Sequence, residues 1–284
     1  MIFNQTPPLV SIIIPNYNNG NYLPECLDSI FKQTYENIEI ICIDDMSSDN
    51  SIRILTEYQT KNQNMQLILN DSNMGVGHNR HKAIMLSSGK YFTTLDSDDF
   101  YLDNKKIEKE VEILERKNIS SDVPVITFSD IRLVNAKGTE LSPDRESDIK
   151  EGYIFESIYL RKGMIPRDFM LTKRQYIDAG AFDQNIPIYE DWDLKIRLAH
   201  NNEFLYTGIS GIAYRRHGNG LSATNNKNHV KWLKFIYKKN SHLILEENKV
   251  FFHKYFDAYL KRTFKLGFLQ RVVQSLGNFI RARK

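Results

Sequence analysis

The stretch Tyr91-Phe92-Thr93-Thr94-Leu95-Asp96-Ser97-Asp98-Asp99-Phe100 carries a short apolar run straight into three carboxylates within four residues. Charges taken out of water need partners, because the cost of leaving them alone exceeds what a domain can absorb. Three carboxylates at a strand's end therefore ask for positive company, most simply a divalent cation with oxygen ligands. Taken alone, such a run reads more plainly as a solvated acidic turn capping the next helix. The neighbouring sequence decides between the two.

Upstream, the same pattern of apolar run and polar end recurs. Val10–Ile14 is β-branched and stopped by Pro15, Ile38–Ile43 ends in Asp44-Asp45, Met65–Leu69 is a third strand, and Tyr91–Leu95 is the fourth. Between them, Tyr22, Leu23, Cys26, Leu27, Ile30 and Phe31 recur at helical spacing, and Ile52, Leu55 and Tyr58 do the same behind Ser48-Asp49, a helix-capping pair. Val76–Leu86 is also compatible with a helix. Strands alternating with helices imply βαβ units and a Rossmann-like, mostly parallel α/β sheet with flanking helices. Ligands of such sheets gather beyond the carboxyl ends of the strands. Asp45, the Asn73-Met74-Gly75 loop and Asp96 to Asp99 are thus expected on one rim, and this agreement favours a site over a solvated turn.

Downstream the pattern predicts a helix over Asp103–Lys117, strands over Val123–Phe128 and Ile131–Val134, a polar loop over Pro143–Lys150 and a helix over Phe155–Leu160. A strand over Met164–Thr172, a short helix over Lys173–Ala179, a helix opened by Tyr189-Glu190-Asp191-Trp192-Asp193 and a strand over Phe204–Tyr214 follow. Arg215 to Gly220 is a polar, glycine-bearing loop. Beyond it, residues 223–284 read as a helical, basic extension to a domain spanning 1–222. From Lys249 onward nine Lys or Arg face one acid, Asp257, with aromatic residues interleaved at helical spacing. That composition suits an anionic membrane surface; it equally suits helices packing an apolar face inward with lysines in solvent.

A formal charge of +3 is too small to argue for nucleic acid. The two cysteines, Cys26 and Cys42, lack metal-type spacing, so a reducing compartment is expected. With no basic start followed by an apolar segment and no run of about 18 apolar residues, the sequence reads as a cytoplasmic protein, peripheral on the inner membrane face if the basic helices dock there.

Five stretches in this order resemble the family-two glycosyltransferases, inverting enzymes of the GT-A fold: Val10–Asn18, Ile41–Asp49, Asn73–Arg80, Leu95–Asp99 and Glu190-Asp191. The resemblance covers about residues 8 to 222. It implies a hexose or N-acetylhexosamine moved from a nucleotide diphosphate, a uridine one, to a hydroxyl of a glycan or lipid-linked glycan. It further implies that Pro15 and Tyr17 touch the base, that Asp45 accepts from the uracil imide N–H, and that Asn73, Gly75 and Arg80 line the donor loop, Arg80 as a fixed positive fork near the pyrophosphate or base. Asp98 would ligate the metal, with Asp96 contacting ribose or sharing the ion, Asp99 supporting, and His217 either completing the shell in the manner of some relatives, contacting a phosphate or satisfying a loop carbonyl. Oxygen ligands suit Mg2+ or Mn2+, and an imidazole tilts the choice to Mn2+. Asp191 would be the general base for in-line displacement, Glu190 an acceptor contact or loop brace, and Trp192 a sugar platform or a core residue. His81 and Ala83 depart from the common pattern near Arg80. A sugar nucleotidyltransferase fits less well, because Pro15-Asn16-Tyr17-Asn18 is no glycine-rich phosphate loop. A noncatalytic nucleotide-sugar-binding assembly protein would not need Asp191.

Overall fold

The computed structural model describes residues 6–120, 123–141, 148–163, 168–217 and 226–264. The chain divides into two compact units, residues 1–220 and 221–284.

The first unit is built on β1 (Val10–Asn16), every residue of which is buried. β1 lies between β2 (Ile38–Asp44) and β4 (Tyr91–Thr94), and β3 (Met65–Leu69) completes a parallel sheet of order β3-β2-β1-β4. A strand covered on both faces must be apolar on both, which is why Ile12, Ile13 and Ile14 stand in a continuous run. Each contributes about 1.5–3 kcal/mol by leaving water. At the sheet's edge β3 is only partly buried. Pro15 does not stop β1, contrary to expectation; the strand continues to Asn16. Pairing with β4 ends at Ile13, so the missing N–H of Pro15 breaks no ladder bond on that side.

Helices α1 (Leu23–Phe31), α2 (Ser51–Lys61) and α3 (Val76–Leu86) connect these strands, with Pro24 in the first turn of α1. The acidic run leaves β4 and leads into β5 (Phe100–Tyr101) and α4 (Lys106–Ser120). A second sheet has order β5-β7-β6, with β7 (Glu203–Arg216) antiparallel to β5 and parallel to β6 (Val125–Asn135). The two strands expected over 123–134 are thus one, interrupted by a register shift at Phe128 to Ile131. Polar Ser129-Asp130 resembles a turn in sequence, but the bulge absorbs it without ending the strand. The polar loop expected over Pro143–Lys150 lies mostly outside the described residues. The strand expected over Met164–Thr172 reduces, among described residues, to bridges at Met170 and Leu171. These pair with Thr127 of β6 and Phe92 of β4, joining the two sheets. α5 (Phe155–Tyr159), α6 (Lys173–Asp178) and α7 (Glu190–Asn201) complete the unit, α6 opening with a reciprocal Thr172–Gln175 capping box.

The second unit contains α8 (Asn226–Lys239), two short 3₁₀ turns and a helix over 249–264. Tyr237 stacks on Phe256 with ring centroids 4.2 Å apart, and Phe252, Phe256 and Leu260 are buried at helical spacing. These residues therefore belong to packing rather than to an exposed aromatic face; Phe251 stays exposed. The basic residues from 265 onward lie outside the described residues. No described helix is long and apolar enough to cross a membrane.

Candidate active site

Parallel β1 and β2 end side by side, so the loops after them meet. Asp44 accepts from Asn16 Nδ2 at 2.7 Å and from the Ser47 N–H at 2.8 Å, capping the turn. This releases Asp45 to the next loop. Its Oδ1 accepts from Asn70 Nδ2 (2.9 Å) and the Met74 N–H (2.8 Å), and its Oδ2 from the Gly75 N–H (2.8 Å). Burial pushes this carboxyl up, but the hydrogen bonds from Met74, Asn70, Asn79 and Gly75 outweigh it and hold the group below its ordinary value. Asp45 thus fixes the start of α3, where Gly75 takes φ +87°, a conformation costly for other residues. Asn73 Nδ2 reaches the Asp45 carbonyl at 3.4 Å. Beside this loop Tyr17 is half exposed, whereas Pro15 is buried in β1. Of the two residues expected at the base, only the tyrosine has an exposed ring.

The acidic turn is tied down from several elements. Asn19 Nδ2 donates to Ser97 Oγ at 3.0 Å, and the Arg215 N–H donates to Asp99 Oδ1 at 2.8 Å. Asp99 is buried, while Asp96 and Asp98 are half-buried. Each of the three offers an oxygen, and those oxygens lie within 4.8 Å of one another. His217, at the end of β7, brings Nε2 to 2.8 Å from Asp98 Oδ2 with its ring 4.9 Å from that of Tyr22. Its Nδ1 is buried with no hydrogen-bond partner among the described residues.

Arg215, which no local pattern singles out, organises this corner. Its Nε donates to the Asp98 carbonyl (2.7 Å), Nη1 to the Ala136 carbonyl (3.0 Å), and Nη2 pairs with Glu25. Tyr22 and Phe100 stack on the guanidinium at 4.9 and 5.2 Å. The available signal was its position two residues before His217 at a strand's end.

Arg80 departs from expectation. The residue is only 8% exposed, and its guanidinium does not face outward as a phosphate fork. Nη1 donates to Glu190 Oε1 at 2.6 Å, and Nη2 pairs with Asp96 Oδ1. The two carboxylates explain why a guanidinium tolerates burial here. Gly77 makes room: a Cβ there would meet Glu190 Cγ at 3.3 Å.

α7 begins at Glu190 after Tyr189, whose φ of +67° is unusual for an aromatic residue. Burial, with Asp191 adding to it, raises the Glu190 carboxyl above its ordinary value in spite of Arg80. Asp191 is more open, with 36% of its side chain exposed and Nζ of the buried Lys195 2.7 Å away. The helix's first turn thus carries one buried and one partly exposed carboxylate, both favoured by the dipole. Trp192 is 1% exposed and donates Nε1–H to the Ile158 carbonyl at 2.8 Å, which corrects the acceptor-platform expectation. A ring enclosed in the core has no face for a sugar.

The residues present fit a hard divalent cation. Arg80 and Arg215, two arginines that reach the acidic turn, are each shared with a second carboxylate, Glu190 and Glu25. Asp96 and Asp98 supply oxygen donors, and the His217 nitrogen lies beside Asp98.

The model for glycosyl transferase family 2 matches residues 11–180, more than half the chain and all four strands of the first sheet. The chain belongs to glycosyl transferase family 2. An uncharacterized glycosyltransferase of Rickettsia felis is 31% identical over 246 residues, covering 81% of this chain and 38% of its relative. The chondroitin synthase of Escherichia coli is 31% identical over 222 residues, covering 76% of this chain and 30% of that protein. The chain therefore spans about two fifths or less of the length of these relatives. Staphylococcus aureus TarS 1–349 in complex with UDP-GlcNAc superposes with a TM-score of 0.68 at 20% identity, covering 90% of this chain and 72% of the other. The mannosyltransferase PcManGT of Pyrobaculum calidifontis, in complex with GDP-Man and Mn2+, gives 0.64 at 15% identity, covering 90% and 70%. This family-2 chain has the GT-A fold.

Proposed function

We propose that the chain is an inverting glycosyltransferase moving a hexose or N-acetylhexosamine from a uridine diphosphate sugar to a hydroxyl of a glycan or glycolipid. The observation that carries this reading is the meeting of the Asp96-Ser97-Asp98 turn with the α7 turn that exposes Asp191, bridged by Arg80. The uridine choice takes support from TarS, bound to UDP-GlcNAc on the same fold.

In this reading Tyr17 stacks on the base. Asp45, kept ionised by the hydrogen bonds of the Asn70–Gly75 loop, also accepts from an imide N–H of the base. Asn73 and Gly75 complete the donor loop. A divalent cation held by Asp98, Asp96 and His217, Mn2+ or Mg2+, would supply the charge that stabilises the leaving diphosphate. Asp191 accepts the proton of the acceptor hydroxyl as its oxygen bonds to the anomeric carbon, and the bond to the diphosphate breaks with its electron pair leaving on that group. Glu190 stays inward and braces the turn. One displacement inverts the anomeric centre and needs no covalent nucleophile.

The basic second unit supplies a contact to an anionic membrane surface: α8 exposes Lys227, Lys231, Lys234 and Lys238 at helical spacing beside the exposed Phe235. Sedimentation with anionic vesicles at low salt, lost at high salt, checks this part.

A screen of uridine diphosphate sugars with Mn2+ tests the reaction. Wild type is expected to turn over one of them, and Asp191→Asn to bind it normally while losing transfer by about 10²–10⁴-fold. Near-normal turnover in that variant removes Asp191 as the base.

A further inference from the structure

Asp96, Arg80 and Glu190 lie far apart in sequence, yet form one chain of contacts. Asp96 belongs to the acidic turn after β4, Arg80 to the middle of α3, and Glu190 to the first turn of α7 beside Asp191. The guanidinium is enclosed: the residue is 8% exposed, Phe182 lies 5.9 Å from the guanidinium carbon, and Nε is buried without a hydrogen-bond partner among the described residues. A group so placed has no open side from which to grip a phosphate. Its two Nη atoms instead span two loops, one carrying the candidate metal carboxylates and one the candidate base.

Asp191 itself pairs with the buried Lys195. Tyr189 precedes it in the left-handed region, where an aromatic residue persists only if the surroundings hold it. This strained turn is anchored by Glu190, and Glu190 by Arg80. The close approach of α3 to α7 is permitted by Gly77.

We propose that Arg80 is a positioning residue, a buried strut that transmits the placement of Asp96 to the Tyr189–Asp193 turn and so sets the base. The strut itself does not depend on the reaction assigned above; its consequence for catalysis rests on that reading. Movement or neutralisation of Asp96 shifts the guanidinium, because Nη2 has lost its partner, and Glu190 follows. Binding of uridine diphosphate with Mn2+ at the acidic turn then stiffens the turn carrying Asp191, although Arg80 touches neither ligand.

The strut is tested first without any ligand, by amide hydrogen exchange at residues 189–193 in wild type, Asp96→Asn, Arg80→Met and the double variant. Asp96→Asn is expected to speed exchange there about tenfold, Arg80→Met to do the same, and the pair to add little beyond either. Exchange at 189–193 unchanged by Asp96→Asn, or fully additive effects, overturns the strut. Arg80→Lys, which keeps the charge but not the two-ended fork, serves if Arg80→Met does not fold, and is expected to fall between. In a second arm, UDP with Mn2+ protects 189–193 in wild type and not in Arg80→Lys. No protection anywhere in wild type counts against the donor assignment and leaves the outcome of the first arm standing. On an identified donor, Arg80→Lys should lower kcat about 10–100-fold with donor KM within about threefold. The reverse split, KM raised and kcat kept, would make Arg80 a phosphate ligand and overturn the proposal.

Discussion

Two carboxylate clusters of the first unit meet opposite fates. The turn Asp96–Asp99 gathers three acids at the rim, two of them half-buried, with an imidazole at 2.8 Å. Lys106, Glu110 and Asp168 instead form a sealed cluster. The lysine, 0% exposed, reaches both Glu110 oxygens at 2.8 Å and Asp168 Oδ2 at 2.9 Å. Ser129 adds a hydrogen bond to Glu110, and the Tyr101 ring lies 4.8 Å from the lysine nitrogen. The same chemical groups make an internal tie in one place, where Lys106 and Glu110 hold α4 against β6, and in the other stand partly open between Arg80 and Arg215. On the reading proposed above, a divalent cation from outside completes the second cluster.

The comparison breaks most sharply at Lys106. Lys106→Met removes the cation that two buried carboxylates share, and is expected to cost about 3–5 kcal/mol of stability, measured by urea unfolding. UDP affinity of the folded fraction should not change. Loss of affinity without loss of stability would put the sealed cluster in the site after all.

A smaller effect separates the clusters by pH. Burial, and then the nearby Asp168, push the Glu110 carboxyl up to about 7 in spite of Lys106. The folded state then binds a proton that the unfolded state has released, so this contribution is complete below about pH 4.5 and is lost as pH rises to about 7. Glu110→Gln should flatten the stability profile across that interval. An unchanged slope would mean that Glu110 does not titrate there.

The smallest change sharpens which α7 residues face the acceptor. Trp192→Phe deletes one buried hydrogen bond and some ring volume, and is expected to cost about 1–3 kcal/mol by thermal unfolding, with acceptor KM unaltered. A raised acceptor KM at unchanged stability would restore the sugar-platform reading.

The first sheet was legible because β1 and β2 are buried on both faces and therefore written as unbroken apolar runs; β3 and α3 fall where their patterns put them. The rim residues followed from the parallel connectivity. What escaped was tertiary. Arg80 looked like a phosphate ligand because its partners lie 16 and 110 positions away, and no local pattern announces such pairs. Arg215 escaped for the same reason: its contacts to Asp98, Asp99 and Glu25 form only when β7 returns beside the acidic turn. Trp192 was ambiguous because an amphipathic ring near a charged helix start suits a core or a surface equally well. Ser129-Asp130 read as a break because a bulge and a turn look alike in sequence.

The role of the acidic turn is tested most directly by titration calorimetry of UDP into wild type and Asp98→Asn, each with and without Mn2+. Mn2+ is expected to tighten UDP binding to wild type by about tenfold or more, and to do nothing for Asp98→Asn, whose metal-free affinity should match that of wild type. Equal tightening by Mn2+ in both proteins would contradict the assignment of the acidic turn as the seat of the metal.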